Sequence, residues 1–425
     1  MSSTWLGKMT EFTGFDLLPT TPAGRDFVVL AENHAKQFAE RATEYDARGV
    51  FPFESFKEMR ESGFLSASVP HEYGGLGVGL LHDLMVGMSR LARGDAGTAV
   101  AANMHIAGAA VIVQMLRRSK ADGDTVMADV LAGLLSRVSA GEVLMCFPAT
   151  ERGTDLTSPR MEATPTADGY VLNGRKIFGT MAPVAHLFFP TVRIPNGKGG
   201  YRTASAMVPR DTPGLQIVDN WDALGMRTSG SNDITFTDCA IPAGNIFAVR
   251  DNYGTTGQWF ASFTLTAHLP LIATYLGISE AARDLAIAAA HAVKGRKRLA
   301  DRVPIQQLVA EIDIDLCTCR AMLQRTARAA DEFIARHQTV DPDPAESNAL
   351  MKEVQCTKYV VNRRAIEVVD RAMTVCGGAA YMNQHPVARL YRDVRAGPFM
   401  QPFAPYEALE YIGKVALGLD PNIDR

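Results

Sequence analysis

The spacing of apolar residues changes twice along the chain. From about residue 20 to 140 it is helical. Phe27–Glu44 mixes apolar and charged positions at that period, and Glu54–Ser62 continues it up to Gly63. Leu80–Ala92 and Thr98–Leu116 are rich in alanine and leucine, strong helix formers. From Gly141 to about Val249, short β-prone runs alternate with turn residues. Tyr170-Val-Leu, Asn173-Gly174 and Lys176-Ile-Phe predict a hairpin. His186–Ile194 and Tyr201–Val208 flank a glycine-rich turn at 195–200 and predict a second. Ile234–Phe236 and Cys239–Ile241, ahead of Pro242, predict a last strand. From Trp259 onward helices are expected over Ala261–Val293, Ile305–His337 and Ala345–Cys376, with Asp341-Pro-Asp-Pro344 breaking the last two apart. The expected fold is α+β: a helical domain over 1–140, a small β-barrel over 141–250 and a helical bundle over 251–425.

Composition narrows the classes of function. The 425 residues are 47% hydrophobic and 21% charged, an ordinary globular balance. A net charge of -3 offers no basis for nucleic-acid or anionic-membrane binding. Cys146, Cys239, Cys317, Cys319, Cys356 and Cys376 are scattered, and Cys317-x-Cys319 lacks the paired spacing of a zinc site. Reduced cysteines in a cytoplasmic protein, with no metal, are the expectation. No leader peptide or membrane span is expected either.

Five ordered segments carry the chemistry. Two of them, Phe147–Asp155 (FPATERGTD) and Gly169–Thr180 (GYVLNGRKIFGT), resemble the loop and strand that clasp the flavin ring in the acyl-CoA dehydrogenase superfamily. The others are Val69–Val78, Leu224–Pro242, and the pair Thr374–Gly378 with Arg389–Arg395. The resemblance implies an acyl-CoA dehydrogenase-like fold: an N-terminal helical domain, a middle β-barrel and a C-terminal four-helix bundle. It implies that the backbone of Phe147 and Ala149 and the Thr150 hydroxyl face the flavin pyrimidine edge. Donors there stabilise the charge that grows on reduction. Thr154 takes the place of a serine on the cofactor pyrophosphate, Phe178 that of a tryptophan packed on the ring, and Thr180 that of a threonine on N5. Arg227 pairs with an anionic substrate group or anchors its own loop. Arg298, Gly377 and Gly378 correspond to contacts with the adenosine half of FAD. In the family that half is bound mainly by a neighbouring subunit, so a homodimer or homotetramer is implied. An electron-transfer flavoprotein or a flavin reductase is the implied redox partner.

The chain departs from the dehydrogenase pattern where the base belongs. α,β-Dehydrogenation of an acyl-CoA needs a carboxylate to take the α-proton while N5 takes the hydride. The two family positions for that glutamate fall on Gln401 and Ala267, with His268 and Glu407 as neighbouring substitutes. A family phenylalanine near Arg298 is Asp301, which weakens the adenosine site and admits FMN as the alternative to FAD. These losses point toward the superfamily's monooxygenase branch. That branch uses reduced flavin and a C4a-hydroperoxide to oxygenate nitrogen, sulfur or aromatic carbon. His105 is then either a proton donor there or a hydrogen-bonded core histidine. Three readings stand: dehydrogenation of an acyl thioester or similar substrate with an unusual base, monooxygenation, and a non-catalytic partner subunit; the candidate catalytic residues across them are Gln401, His105 and His268.

Overall fold

The computed structural model describes residues 17–154, 158–250, 258–294, 297–400 and 402–422. Among the described residues five α-helices come first: α1 (Pro22–Arg48), α2 (Phe53–Glu61), α3 (Leu81–Ala92), α4 (Ala96–Asp122) and α5 (Thr125–Ser139). Side chains cap the starts of three of them. The Thr21 hydroxyl accepts from the Gly24 amide, and Asp95 and Asp124 cap α4 and α5 the same way. The α4 helix is long and apolar enough to cross a membrane, but 78% of its most apolar window is buried inside the protein.

Ten strands follow. A seven-stranded sheet runs in the order β10-β6-β5-β2-β3-β9-β8. Its members are β2 (Glu162–Pro165), β3 (Gly169–Gly179), β5 (Thr191–Pro195), β6 (Tyr201–Ala206), β8 (Leu215–Val218), β9 (Asn232–Pro242) and β10 (Ile246–Arg250). A three-stranded sheet of β1 (Met145–Cys146), β4 (Leu187–Phe188) and β7 (Val208–Pro209) completes a barrel-like domain. Cys146, Leu172, Phe188, Ile194 and Phe236 belong to the shared core.

Four long or medium helices close the chain, α6 (Gln258–His291), α7 (Val303–Arg336), α8 (Pro344–Cys376) and α10 (Pro405–Ala416), with the short α9 (Pro386–Asp393) between the last two. Asp343 caps α8 with Pro344 in its first turn, so the proline-rich break predicted there is a helix start. Phe27, Met85, Ala101, Leu276, Leu323 and Val361 share one continuous core, so the two helical regions fold around each other.

The hairpin predicted at Asn173-Gly174 does not form; β3 runs straight through it. Asn173 meets Asp238 of β9 instead. Its Nδ2 donates to Asp238 Oδ1 at 3.1 Å, and the Asp238 amide donates back to Asn173 Oδ1 at 2.9 Å. Asp238 has φ 51 and the β3–β9 register shifts here, so the turn signal became a bulge. Gly174 remains necessary: a Cβ would lie 2.7 Å from Met161 Cγ. The hairpin that does form pairs β2 with β3, closed by the Thr166 amide donating to Gly169 O at 2.9 Å. The second predicted hairpin is present as β5–β6, with β4 split off into the smaller sheet.

Candidate functional site

Two segments distant in sequence meet at the edge of the sheet domain. The Ile177 amide donates to Thr150 O at 2.9 Å, and the Cys146 thiol donates to Thr180 O at 3.2 Å. Residues 147–150 and 178–180 are therefore one structure, a clasp. Lys176 holds it from behind. Its Nζ is wholly buried, 2.5 Å from Glu151 Oε1, and also reaches Ala149 O and Thr191 Oγ1. Glu151 in turn accepts from the amides of Arg160 and Met161. Burial pulls the Lys176 pKa down to about 8, and the Glu151 charge opposes that.

The approach to the clasp is braced by two imidazoles. The Met145 amide donates to His105 Nδ1 at 3.1 Å and the Leu144 amide to His186 Nδ1 at 3.0 Å. With Nδ1 accepting, the neutral His105 ring carries its proton on Nε2, which is buried and has no partner among the described residues. Burial, then the neighbouring His186, lowers the His105 pKa to about 3. His105 is thus a neutral hydrogen-bond donor, not a charged acid. Phe147 packs its ring against α4 where Gly108 leaves room, since a Cβ there would lie 2.0 Å from the ring. The ring stacks on Phe189 at 4.9 Å and helps line an apolar cavity of about 260 Å³ with Ile112, Met115, Leu131 and Phe247.

The far side of the clasp is strained. Phe178 and Met181 adopt φ 54 and 71, left-handed values that a non-glycine residue rarely takes. Phe178 is 56% exposed, and its ring meets Trp221 edge-on at 6.1 Å. Between the two strained residues, Thr180 Oγ1 lies 3.0 Å from Ser231 Oγ, which lies 2.8 Å from Ser229 Oγ.

The second centre is helical. Lys358 of α8 is 4% exposed, and its ammonium donates to the carbonyls of Met400 and Phe403. Those carbonyls flank Gln401, which lies outside the described residues. Burial lowers the Lys358 pKa to about 7, and Glu407 opposes the shift. Glu407 itself caps α10 by accepting from the Ala404 amide at 2.8 Å. Ala267 is buried and its carbonyl accepts from Asn103 Nδ2 at 2.9 Å. His268 Nδ1 donates to Thr264 O at 2.9 Å, and burial, then Lys358, lowers its pKa to about 4. A groove of about 360 Å³ beside the turn is lined by Lys358, Tyr359, Arg363, Arg395, Phe399 and Phe403.

The remaining predicted residues lie elsewhere. The Thr154 hydroxyl donates to Ser158 O. Arg227 ties its own loop: Nε donates to Asp46 O at 2.8 Å, and Nη1 to Asp222 and Ala223 O. Arg298 pairs with Asp301 at 3.0 Å, near the start of α7. Gly377 and Gly378 follow the end of α8, and among the described residues no atom would come within 4 Å of a Cβ at Gly378. Three contributors escaped the sequence reading: Lys176 with Glu151, Ser229 with Ser231, and Lys358. The first left a signal, because Lys176 shares the inward register of Leu172 on β3, and a charge at a core position demands a partner.

Models described as acyl-CoA dehydrogenase N-terminal, middle and C-terminal domains match residues 29–117, 146–239 and 264–401. Amino sugar nitrososynthase DnmZ of Streptomyces peucetius is 35% identical over 407 residues, 94% of this chain and 95% of that protein. Putative acyl-CoA dehydrogenase YdbM of Bacillus subtilis (strain 168) is 30% identical over 370 residues, 85% of this chain and 89% of that protein. Among solved structures, KijD3 in complex with FMN and dTDP-3-amino-2,3,6-trideoxy-4-keto-3-methyl-D-glucose matches with a TM-score of 0.85. It is 35% identical, over 95% of each chain.

Proposed function

We propose, for a chain that belongs to the acyl-CoA dehydrogenase family and is an acyl-CoA dehydrogenase-like flavin oxidoreductase, that its reaction is oxygenation of an amine on a nucleotide-linked amino sugar. The observation that carries this reading is the electrostatics of the 400–403 turn. A buried ammonium, Lys358, holds the turn by its carbonyls, and the nearby acid, Glu407, is engaged as a helix cap. With Glu407 tied to the Ala404 amide, the base that takes an α-proton is the missing part, and the group buried at the turn is the Lys358 amine. It suits a substrate whose amine must be neutral to react, because it disfavours the ammonium form.

The clasp fits a flavin. The Phe178 ring presents an open aromatic face, held out by backbone strain, beside the Thr180 hydroxyl. FMN is the form favoured here, since Arg298 is already paired with Asp301 at the place where an adenosine half would need it. A bound reduced flavin would supply two electrons and activate dioxygen, chemistry that accounts for one oxygen atom on the amine nitrogen and the other released as water. The chain's residues bind, orient and exclude. Lys176 and Glu151 keep Ala149 and Thr150 in place, and His105 and His186 brace the strand ahead of them. Arg363 and Arg395 put cations in the groove beside the turn, where a diphosphate could be received.

Reduced flavin would come from a separate reductase. Tyr381 and Met382, exposed beside Gly377–Gly378, support burial against a second copy in a homodimer or homotetramer. The six free cysteines support a cytoplasmic setting. The test supplies reduced FMN, labelled dioxygen and a dTDP-amino sugar. The expected product carries labelled oxygen on its nitrogen. Unlabelled sugar, alongside desaturation of an acyl-CoA by the same preparation, would instead place the chain with the dehydrogenases.

A further inference from the structure

We propose that Ser229, Ser231 and Thr180 form a hydroxyl relay that lets Thr180 donate to N5 of an oxidised flavin and accept from N5–H of a reduced one. The inference rests on the reading above, in which a flavin lies against the clasp with Thr180 at N5.

The three hydroxyls are in sequence at 2.8 and 3.0 Å, and both serines are buried. Their backbone is fixed. The Ser229 amide donates to Met226 O at 3.0 Å, and Ser229 O accepts from the Met181 amide at 3.1 Å. Thr180 is held between the positive-φ residues Phe178 and Met181. Its hydroxyl therefore has a set position and one free variable, the direction of its proton.

A hydroxyl has one donor and two acceptor sites. If Ser231 donates to Thr180, the threonine proton is free to point outward at an acceptor, as the N5 of an oxidised flavin is. If Thr180 donates to Ser231, its lone pairs face outward to a donor, as the N5–H of a reduced flavin is. Switching requires only rotation of hydroxyl protons. No bond between heavy atoms changes.

The two states depend on Ser231 unequally. In the donating state Thr180 needs nothing from the protein. In the accepting state its proton must go somewhere, and the alternative acceptor, Phe178 O, is 3.4 Å away. That is long for an O–H···O bond. Ser231 is thus a positioning residue that chiefly supports the reduced cofactor, and hydrogen bonding along the chain reinforces it.

The test measures affinity, not turnover. The purified protein is titrated with oxidised FMN in air and with photoreduced FMN without oxygen, giving two dissociation constants. Ser231→Ala is expected to weaken reduced FMN relative to oxidised by up to about tenfold, the range of one lost hydrogen bond. Ser231→Thr, which keeps the hydroxyl, is expected to retain the wild-type ratio, and Ser231→Cys, a weak acceptor of similar size, to fall between. In a Thr180→Val background Ser231→Ala is expected to have no further effect. An unchanged ratio in Ser231→Ala, or the same shift with and without Thr180, overturns the relay while leaving flavin binding intact. A wild-type protein that binds neither form of FMN overturns the flavin reading and the relay with it.

Discussion

Lys176 and Lys358 are both buried lysines that hold a backbone turn by its carbonyls, but their surroundings differ. Lys176 has a carboxylate 2.5 Å away in Glu151, which is itself tied to two amides. Lys358 has carbonyls from the turn and only a longer-range attraction to Glu407. Their pKa values follow, about 8 for Lys176 and about 7 for Lys358. The first arrangement is a neutral pair that fixes the backbone of the proposed flavin clasp. The second gives the lysine carbonyl partners at the 400–403 turn in place of a contacting carboxylate, so at neutral pH it is only partly charged. The same residue type thus serves scaffold in one domain and electrostatic character in the other.

Removing each lysine should separate these roles. Lys176→Met leaves Glu151 buried and uncompensated, which is expected to cost about 3–5 kcal/mol in chemical denaturation and to abolish FMN retention. Lys358→Met leaves two carbonyls unsatisfied, costing about 1–3 kcal/mol. It is expected to spare the FMN dissociation constant while lowering kcat/KM by about a hundredfold, because the turn is misplaced. If both variants lose flavin equally, the division between scaffold and charge fails.

The imidazole brace gives a pH test of the clasp side. The folded pKa of His105 lies near 3, below its unfolded value of 6.5. Its contribution is therefore fully present above pH 6.5 and is lost as pH falls toward 3, by up to about 1.4 kcal/mol per unit. His268, near 4, acts in the same direction. His105→Asn keeps an acceptor for the Met145 amide and should flatten the fall in melting temperature between pH 6.5 and 5. A slope as steep as that of the wild type would assign the acid sensitivity elsewhere. The smallest effect is expected at the bulge. Asn173→Ala should cost about 1 kcal/mol and leave FMN binding unchanged.

The helices were legible because their periodicity is local; Ala345–Cys376 was predicted and Pro344–Cys376 is observed. The Asn173–Gly174 turn was misread because its outcome depends on Asp238, 65 residues away. The clasp segments were legible as motifs, yet what supports them was not. The Thr180–Ser231 contact joins positions 51 apart. Lys358 sits in a helix with several other charged residues, and only burial distinguishes it. Sequence locates segments whose chemistry is carried by contiguous residues, and it misses polar pairs made by tertiary contact.

The central claim is that this clasp holds a flavin whose substrate is not deprotonated by a carboxylate at the 400–403 turn. The most direct measurement mixes the FMN-loaded protein with a series of acyl-CoA esters in the absence of oxygen and follows the flavin absorbance. The account predicts no bleaching with any chain length, while dithionite still reduces the flavin. Rapid bleaching by an acyl-CoA, with the enoyl-CoA as product, would contradict it.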